Sequence, residues 1–253
     1  MPTEKTSKKR YTQPVLLILA VLMVIGMLRL GIWQLDRAAF KQTILDQVQQ
    51  QASSEPQTPG QLIDRLISGE TTTELRFQPV KASGTYLGEQ SILIENQVHN
   101  NQGGYKVITP MRVEGADQLV MVSRGWVAAG ITRQDLPTFS TPSQRVEIVG
   151  RLNFPPAQPP LWKDGYPVAN GSVWQYLPID DFAQQIGAQV LPLVVELAPE
   201  NEGSEGLQIY WQSIDDKWVA KHKGYAFQWF AMALAFFIAC LVLLVRARQS
   251  KQL

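Results

Sequence analysis

Cysteine and histidine are nearly missing from this chain of 253 residues. Cys240 is the single cysteine, so an intrachain disulfide, a CxxC redox pair and a cysteine zinc site are all excluded. His99 and His222 are the only histidines, too few for a multi-histidine metal cage. An excess of one charge is lacking as well. The 23 basic residues nearly balance the 22 acidic ones, which argues against nucleic-acid binding through bulk charge. Charge is also absent from two local stretches, and these organise the molecule.

Residues 224–245 carry no charge over 22 positions, enough to cross a hydrocarbon core that needs roughly 20. Residues 15–28 form a shorter apolar run that also suits a signal-peptide core. No small-residue cleavage site follows it; Leu30-Gly31-Ile32-Trp33-Gln34-Leu35 comes next. The expected reading is an uncleaved anchor over residues 14–35 and a second span over 224–245. Lys5, Lys8, Lys9 and Arg10 precede the first span, and Arg246, Arg248 and Lys251 follow the second. The positive-inside rule then puts the tails 1–13 and 246–253 in the cytoplasm. Residues 36–223, with 15 basic and 21 acidic groups, lie on the opposite side. Thirteen residues ahead of the first span are too few for a mitochondrial transit peptide. The expected setting is therefore a bacterial inner membrane, with the central domain in the periplasm.

Helical spacing continues past the first span to about Gln50, followed by a linker over 52–60 and a short helix over 61–67. The period then changes to two. Strands are predicted over 76–86, 91–98, 105–113, 118–127, 145–154, 173–179 and 190–197, with a helix over 180–187. Short Gly- and Asn-rich connections favour antiparallel neighbours. A loop with five prolines over 155–167 and an acidic turn over 199–206 interrupt the series. A helix from about Ile214 feeds the second span. The fold class expected is an α+β membrane protein, two transmembrane helices flanking a mostly antiparallel β extracytoplasmic domain.

Enzyme signatures are missing: no nucleophile elbow, P-loop, HExxH or dinucleotide fingerprint occurs. A serine triad would have to recruit His99 from beside a hairpin turn. The chain reads as a non-enzyme. His222, two residues before the second span, is the side chain with chemistry to offer. In a helix it shares a face with Tyr225, Ala226 and Trp229, with the small Ala226 leaving room between the rings. Trp33, Arg37 and Lys41 share a face where the first helix leaves the membrane. One reading is an interfacial aromatic belt. The other is an axial haem ligand, with aromatic rings against the macrocycle and Lys221 and Lys223 meeting its propionates. Both account for the same residues, so spacing alone leaves the choice open. Arg29, deeper in the first span, is read as snorkelling to the outer interface. Arg124, in a strand flanked by apolar residues, needs carbonyl or carboxylate partners and is read as structural.

Six motifs in order carry a resemblance. They are Leu30-Gly31-x-Trp33-Gln34-Leu35-x-Arg37-x-x-x-Lys41; Gly84-Thr85-Tyr86; Gly104-Tyr105-x-Val107-x-Thr109-Pro110; Val122-Ser123-Arg124-Gly125-Trp126-Val127; Val149-Gly150-Arg151-Leu152; and His222-x-x-Tyr225-Ala226-x-Gln228-Trp229-Phe230. Over nearly the whole chain this resembles the surfeit locus protein 1 (Shy-type) family of cytochrome c oxidase assembly factors. The stretch Val219-Ala220-Lys221 departs from the polar, asparagine-containing segment frequent in that family. The resemblance implies a non-catalytic factor that helps deliver or insert haem a into the catalytic subunit of a haem–copper oxidase. The implied partners are that subunit, the haem a synthesis machinery and the lipid bilayer, with no nucleic acid. His222 is the implied ligand to haem iron, and Tyr225, Trp229, Trp33 and Arg37 are the expected cofactor-binding neighbours. The alternative is a membrane scaffold that stabilises an oxidase assembly intermediate without touching cofactor.

Overall fold

The structure is a computed structural model and describes residues 8–132, 135–155, 169–199, 206–211 and 216–249. The chain forms two compact units, residues 1–47 with 213–253 and residues 48–212. In the first unit, helix α1 (Lys8–Ala52) and helix α5 (Asp216–Gln249) hold both apolar stretches. At 1.5 Å per residue α1 is about 67 Å long, twice a bilayer core of about 30 Å, so it continues well beyond the membrane. Leu16, Ile18 and Leu22 on α1 and Phe227, Leu234 and Leu243 on α5 are exposed. A soluble core helix would bury such residues; here they meet lipid. The two helices are the transmembrane helices of a membrane protein.

The second unit begins with two short helices, each started by a reciprocal cap. Thr58 caps α2 (Pro59–Ile67) and Thr71 caps α3 (Thr72–Leu75), with Gln61 and Glu74 returning the bond to the cap backbone. Strands follow: β1 (Pro79–Tyr86), β2 (Ile92–His99), β3 (Gln102–Val113), β4 (Leu119–Ala128), β5 (Val146–Asn153), the short β6 (Ala169–Asn170) and β7 (Val173–Trp174), and β8 (Val190–Leu197). Helix α4 (Ile179–Ile186) lies between β7 and β8. The hairpin joining β2 to β3 turns on Asn100 and Asn101, both at positive φ, the left-handed geometry that two-residue hairpin turns need.

Strand order β1-β5-β8-β4-β3, with β1 pairing β3 as well, closes five strands into a ring. β2, β7 and β6 extend the sheet from the other half of β3. All pairs are antiparallel except β4 with β8 and β2 with β7. The parallel β4–β8 pair is reached through β5 and α4, long enough for a crossover. The strand predicted over 173–179 is shorter than expected, since Pro178 opens α4 as its N-cap and Ile179 is already helical. Most of the proline-rich loop, the interior of the acidic turn and the predicted helix start at Ile214 lie outside the described residues.

The ring encloses Val80, Met111, Val122, Ile148, Leu152, Leu193 and Val195, with Leu62 of α2 and Leu75 of α3 in the same cluster. A second cluster, including Ile94, Met121, Trp174 and Phe182, packs under α4. Arg124 joins the buried residues because the pairing of β3 with β4 slips between Val107 and Ile108. Gly125 and Ser123 are paired across and Arg124 is the extra residue, a bulge that turns its side chain inward. There the guanidinium donates to the Ser140 carbonyl at 2.7 Å and to Thr141 Oγ1 at 2.6 Å, and lies 5.0 Å from the Tyr86 ring. Burial pushes the Tyr86 hydroxyl up to about 12, with the Arg124 charge opposing the shift. Arg124 is a structural pin for the segment after β4.

Candidate functional site in the helix pair

Between Val15 and Lys41 every residue of α1 is exposed except Ala20, Val24, Met27, Gly31, Gln34, Ala38 and Lys41. The steps alternate four and three, a period of 3.5. On α5, from Lys217 onward, the residues not exposed are Val219, His222, Ala226, Trp229, Phe230, Ala233, Phe236 and Cys240, the same period with one addition. Two such stripes facing each other are the seam of a coiled-coil-like pair. Side-chain contacts fix its sense. Gln34 meets His222, Lys41 meets Trp218, and Gly31 lies against the Phe230 ring, so the helices run antiparallel and the start of α1 and the end of α5 share one end.

His222 therefore occupies a seam position. Its Nδ1 lies 2.7 Å from Gln34 Oε1. A carbonyl oxygen accepts only, so the contact is a hydrogen bond when Nδ1 carries the proton, which puts the lone pair on Nε2. Imidazole in this form is the neutral ligand that haem iron takes. Ala226 does not leave the predicted room. It is 1% exposed, buried in the seam, and Trp229 lies half-buried one turn further along the same stripe. The stripe read as a cofactor face is largely the packing face between the two spans.

The remaining site residues gather beside it. Trp33 and Arg37 each precede a seam residue of α1 by one, and Lys221 and Tyr225 do the same on α5. In an antiparallel pair of right-handed helices, positions one before the seam fall on the same flank. All four lie within one helical turn of the Gln34–His222 layer. Trp33 is 49% exposed and Tyr225 41%, so neither ring is packed away. Arg37 lies 5.9 Å from the Trp33 ring, Lys221 5.9 Å from Tyr225, and Lys41 4.8 Å from Trp218. The flank is an aromatic and basic surface bordering one half-buried imidazole. It combines flat apolar area with cations that favour a carboxylate.

Arg29 stands on the exposed face of α1. His99 is elsewhere, at the end of β2, stacked on Tyr210 at 3.8 Å between ring centres and tilted against Trp126 at 5.5 Å. It joins no metal-binding cluster among the described residues. Gln34 is the site residue to which sequence reasoning assigned no role, although it stood in the first motif. The signal was available in the four-and-three spacing that aligns it with Gly31 and Ala38.

The sequence profile of the SURF1 family matches residues 21–234, which takes in every strand and part of each membrane helix. The chain belongs to the SURF1 family. Relatives include Surfeit locus protein 1 of Xenopus tropicalis, 24% identical over 193 residues, 70% of this chain and 60% of that protein. A SURF1-like protein of Rickettsia bellii is 23% identical over 227 residues, 88% of this chain and 86% of its own. One of Caenorhabditis elegans is 22% identical over 249 residues, 91% and 74% respectively. The chain thus spans less than two thirds of the length of the Xenopus relative and most of the Rickettsia one. Family membership accords with the two transmembrane helices and the mixed barrel between them.

Proposed function

We propose that this SURF1-family protein is a non-catalytic assembly factor for a haem–copper cytochrome c oxidase, holding haem a in transit to the catalytic subunit. The observation that carries the reading is the 2.7 Å contact of His222 Nδ1 with Gln34 Oε1, which with the proton on Nδ1 would leave Nε2 as the electron-pair donor. The donor set fits a haem: one neutral nitrogen, exposed rings of Trp33 and Tyr225 on the same flank, and Arg37, Lys41 and Lys221 as cations for propionates. His222 would hold the iron, Trp33 and Tyr225 would supply flat apolar area, and the cations would pair with its carboxylates. Trp229, packed in the seam, supports His222 rather than lining the cofactor. When bound, haem a supplies a redox-active iron for the oxidase; the carrier contributes binding and orientation, and its half-exposed site suits release. The setting that fits is a bacterial inner membrane with both termini cytoplasmic and the central domain periplasmic, the arrangement that the flanking basic residues favour.

Delivery is tested by mixing haem a-loaded protein with detergent-solubilised oxidase catalytic subunit lacking haem. Delivery moves the haem absorbance to the catalytic subunit on separation of the two. A protein that co-purifies with that subunit yet leaves its haem content unchanged is a scaffold, and the carrier reading is then wrong.

A further inference from the structure

An amide at a helix–helix seam is costly unless its polar atoms are used. The nearest neighbours of Gln34 along the α1 seam are Gly31 and Ala38, both small and buried. Its oxygen is spent on His222 Nδ1, at the short distance of 2.7 Å. Metal-ligating histidines commonly donate their second ring nitrogen to an acceptor that fixes tautomer and ring plane. We infer that Gln34 is a positioning residue, which holds His222 as the Nδ1–H tautomer and so presents Nε2 as its ligating atom. The assignment of the proton stands on the contact alone; naming haem iron as what Nε2 meets rests on the function proposed above.

A plain register pin between two spans is the competing role, and it needs a hydrogen bond of either polarity. The roles separate because a ligand-orienting acceptor changes the basicity of the imidazole. A carboxylate at position 34 draws the Nδ1 proton harder than an amide does, which makes Nε2 a stronger donor.

The test uses full-length, untagged protein in detergent, with 15N-labelled histidine in a His99→Gln background, so that His222 is the single labelled ring. At a pH well above the usual histidine value of about 6.5, nitrogen NMR is expected to show a protonated Nδ1 and an unprotonated Nε2. Gln34→Leu is expected to revert to Nε2–H, the form an unconstrained side chain prefers. Wild-type protein protonated at Nε2, or an Nδ1–H form that survives Gln34→Leu, overturns the inference.

A second arm reads protein purified from a haem a-producing host. Gln34→Leu should lower haem a affinity about 10–100-fold at unchanged membrane abundance. Gln34→Glu should keep the haem, raise the iron–histidine stretching frequency in the resonance Raman spectrum of the reduced protein, and lower its midpoint potential. A Gln34→Glu protein whose stretch and potential match wild type contradicts the positioning role. Wild-type protein that is Nδ1–H yet takes up no haem leaves the tautomer assignment standing and removes the haem reading instead.

Discussion

Arg124 is fully buried in the β domain, and its guanidinium satisfies the Ser140 carbonyl and the Thr141 hydroxyl while facing the Tyr86 ring. Hydrogen bonds to a charged group contribute about 1.5–3 kcal/mol each, so Arg124→Met should destabilise the domain by about 3 kcal/mol. Thermal melting in detergent, followed by near-ultraviolet circular dichroism, checks this. A carboxyl in the same domain makes a pH prediction. Glu196 is nearly buried, and burial alone would push its carboxyl up. Lys106, Arg151 and Asn153 outweigh that and hold it below the usual carboxylate range. A carboxyl depressed on folding contributes stability that is present above its unfolded value, about 4.3, and is lost as pH falls through the folded value. Melting temperature should therefore drop below about pH 4.3, and Glu196→Gln should make that acid limb shallower; an unchanged slope counts against the cluster. The need of Arg124 for partners was legible in the sequence, because an arginine among apolar strand residues must find them. The bulge that turns it inward was not, since one slipped pair leaves no mark on the hydrophobic alternation around it.

At the scale of elements, the antiparallel α1–α5 pair depends on close approach at Gly31. A Cβ there would come within 2.6 Å of the Phe230 ring. A methyl group can be met by rotation of the ring, but a branched side chain cannot. Gly31→Ile should push the helices apart, break the Gln34–His222 bond and lose bound haem, while Gly31→Ile with Phe230→Ala should recover much of it. Haem content per protein in the two variants decides the point; equal losses in both would mean that the seam is not held at Gly31. Both helices and their lengths were legible from uncharged runs and helical spacing. The seam was legible in principle, but spacing could not decide it, because His222, Ala226 and Trp229 form the same stripe whether they face a cofactor or another helix. Only the partner helix distinguishes the cases, and here Ala226 is buried.

At the scale of the whole molecule, the six longer strands were legible as period-two runs between turn residues and prolines, whereas the two-residue β6 left no such pattern. The closure of β1 on β3 and the parallel β4–β8 pair were not legible, since both join segments far apart in sequence. The orientation proposed from the basic flanks can be tested directly, and Cys240→Ser supplies a cysteine-free background for it. In spheroplasts, a membrane-impermeant maleimide should label Ser68→Cys and spare Ser7→Cys and Ser250→Cys until the membrane is permeabilised; the reverse pattern contradicts the assigned topology. The account as a whole turns on His222. Its most direct test is the absorption spectrum of wild-type and His222→Ala protein purified at equal abundance from a host that makes haem a. The account predicts a Soret band in the wild type that is lost in His222→Ala. A wild type without haem, or a variant that keeps it in full, would contradict the account.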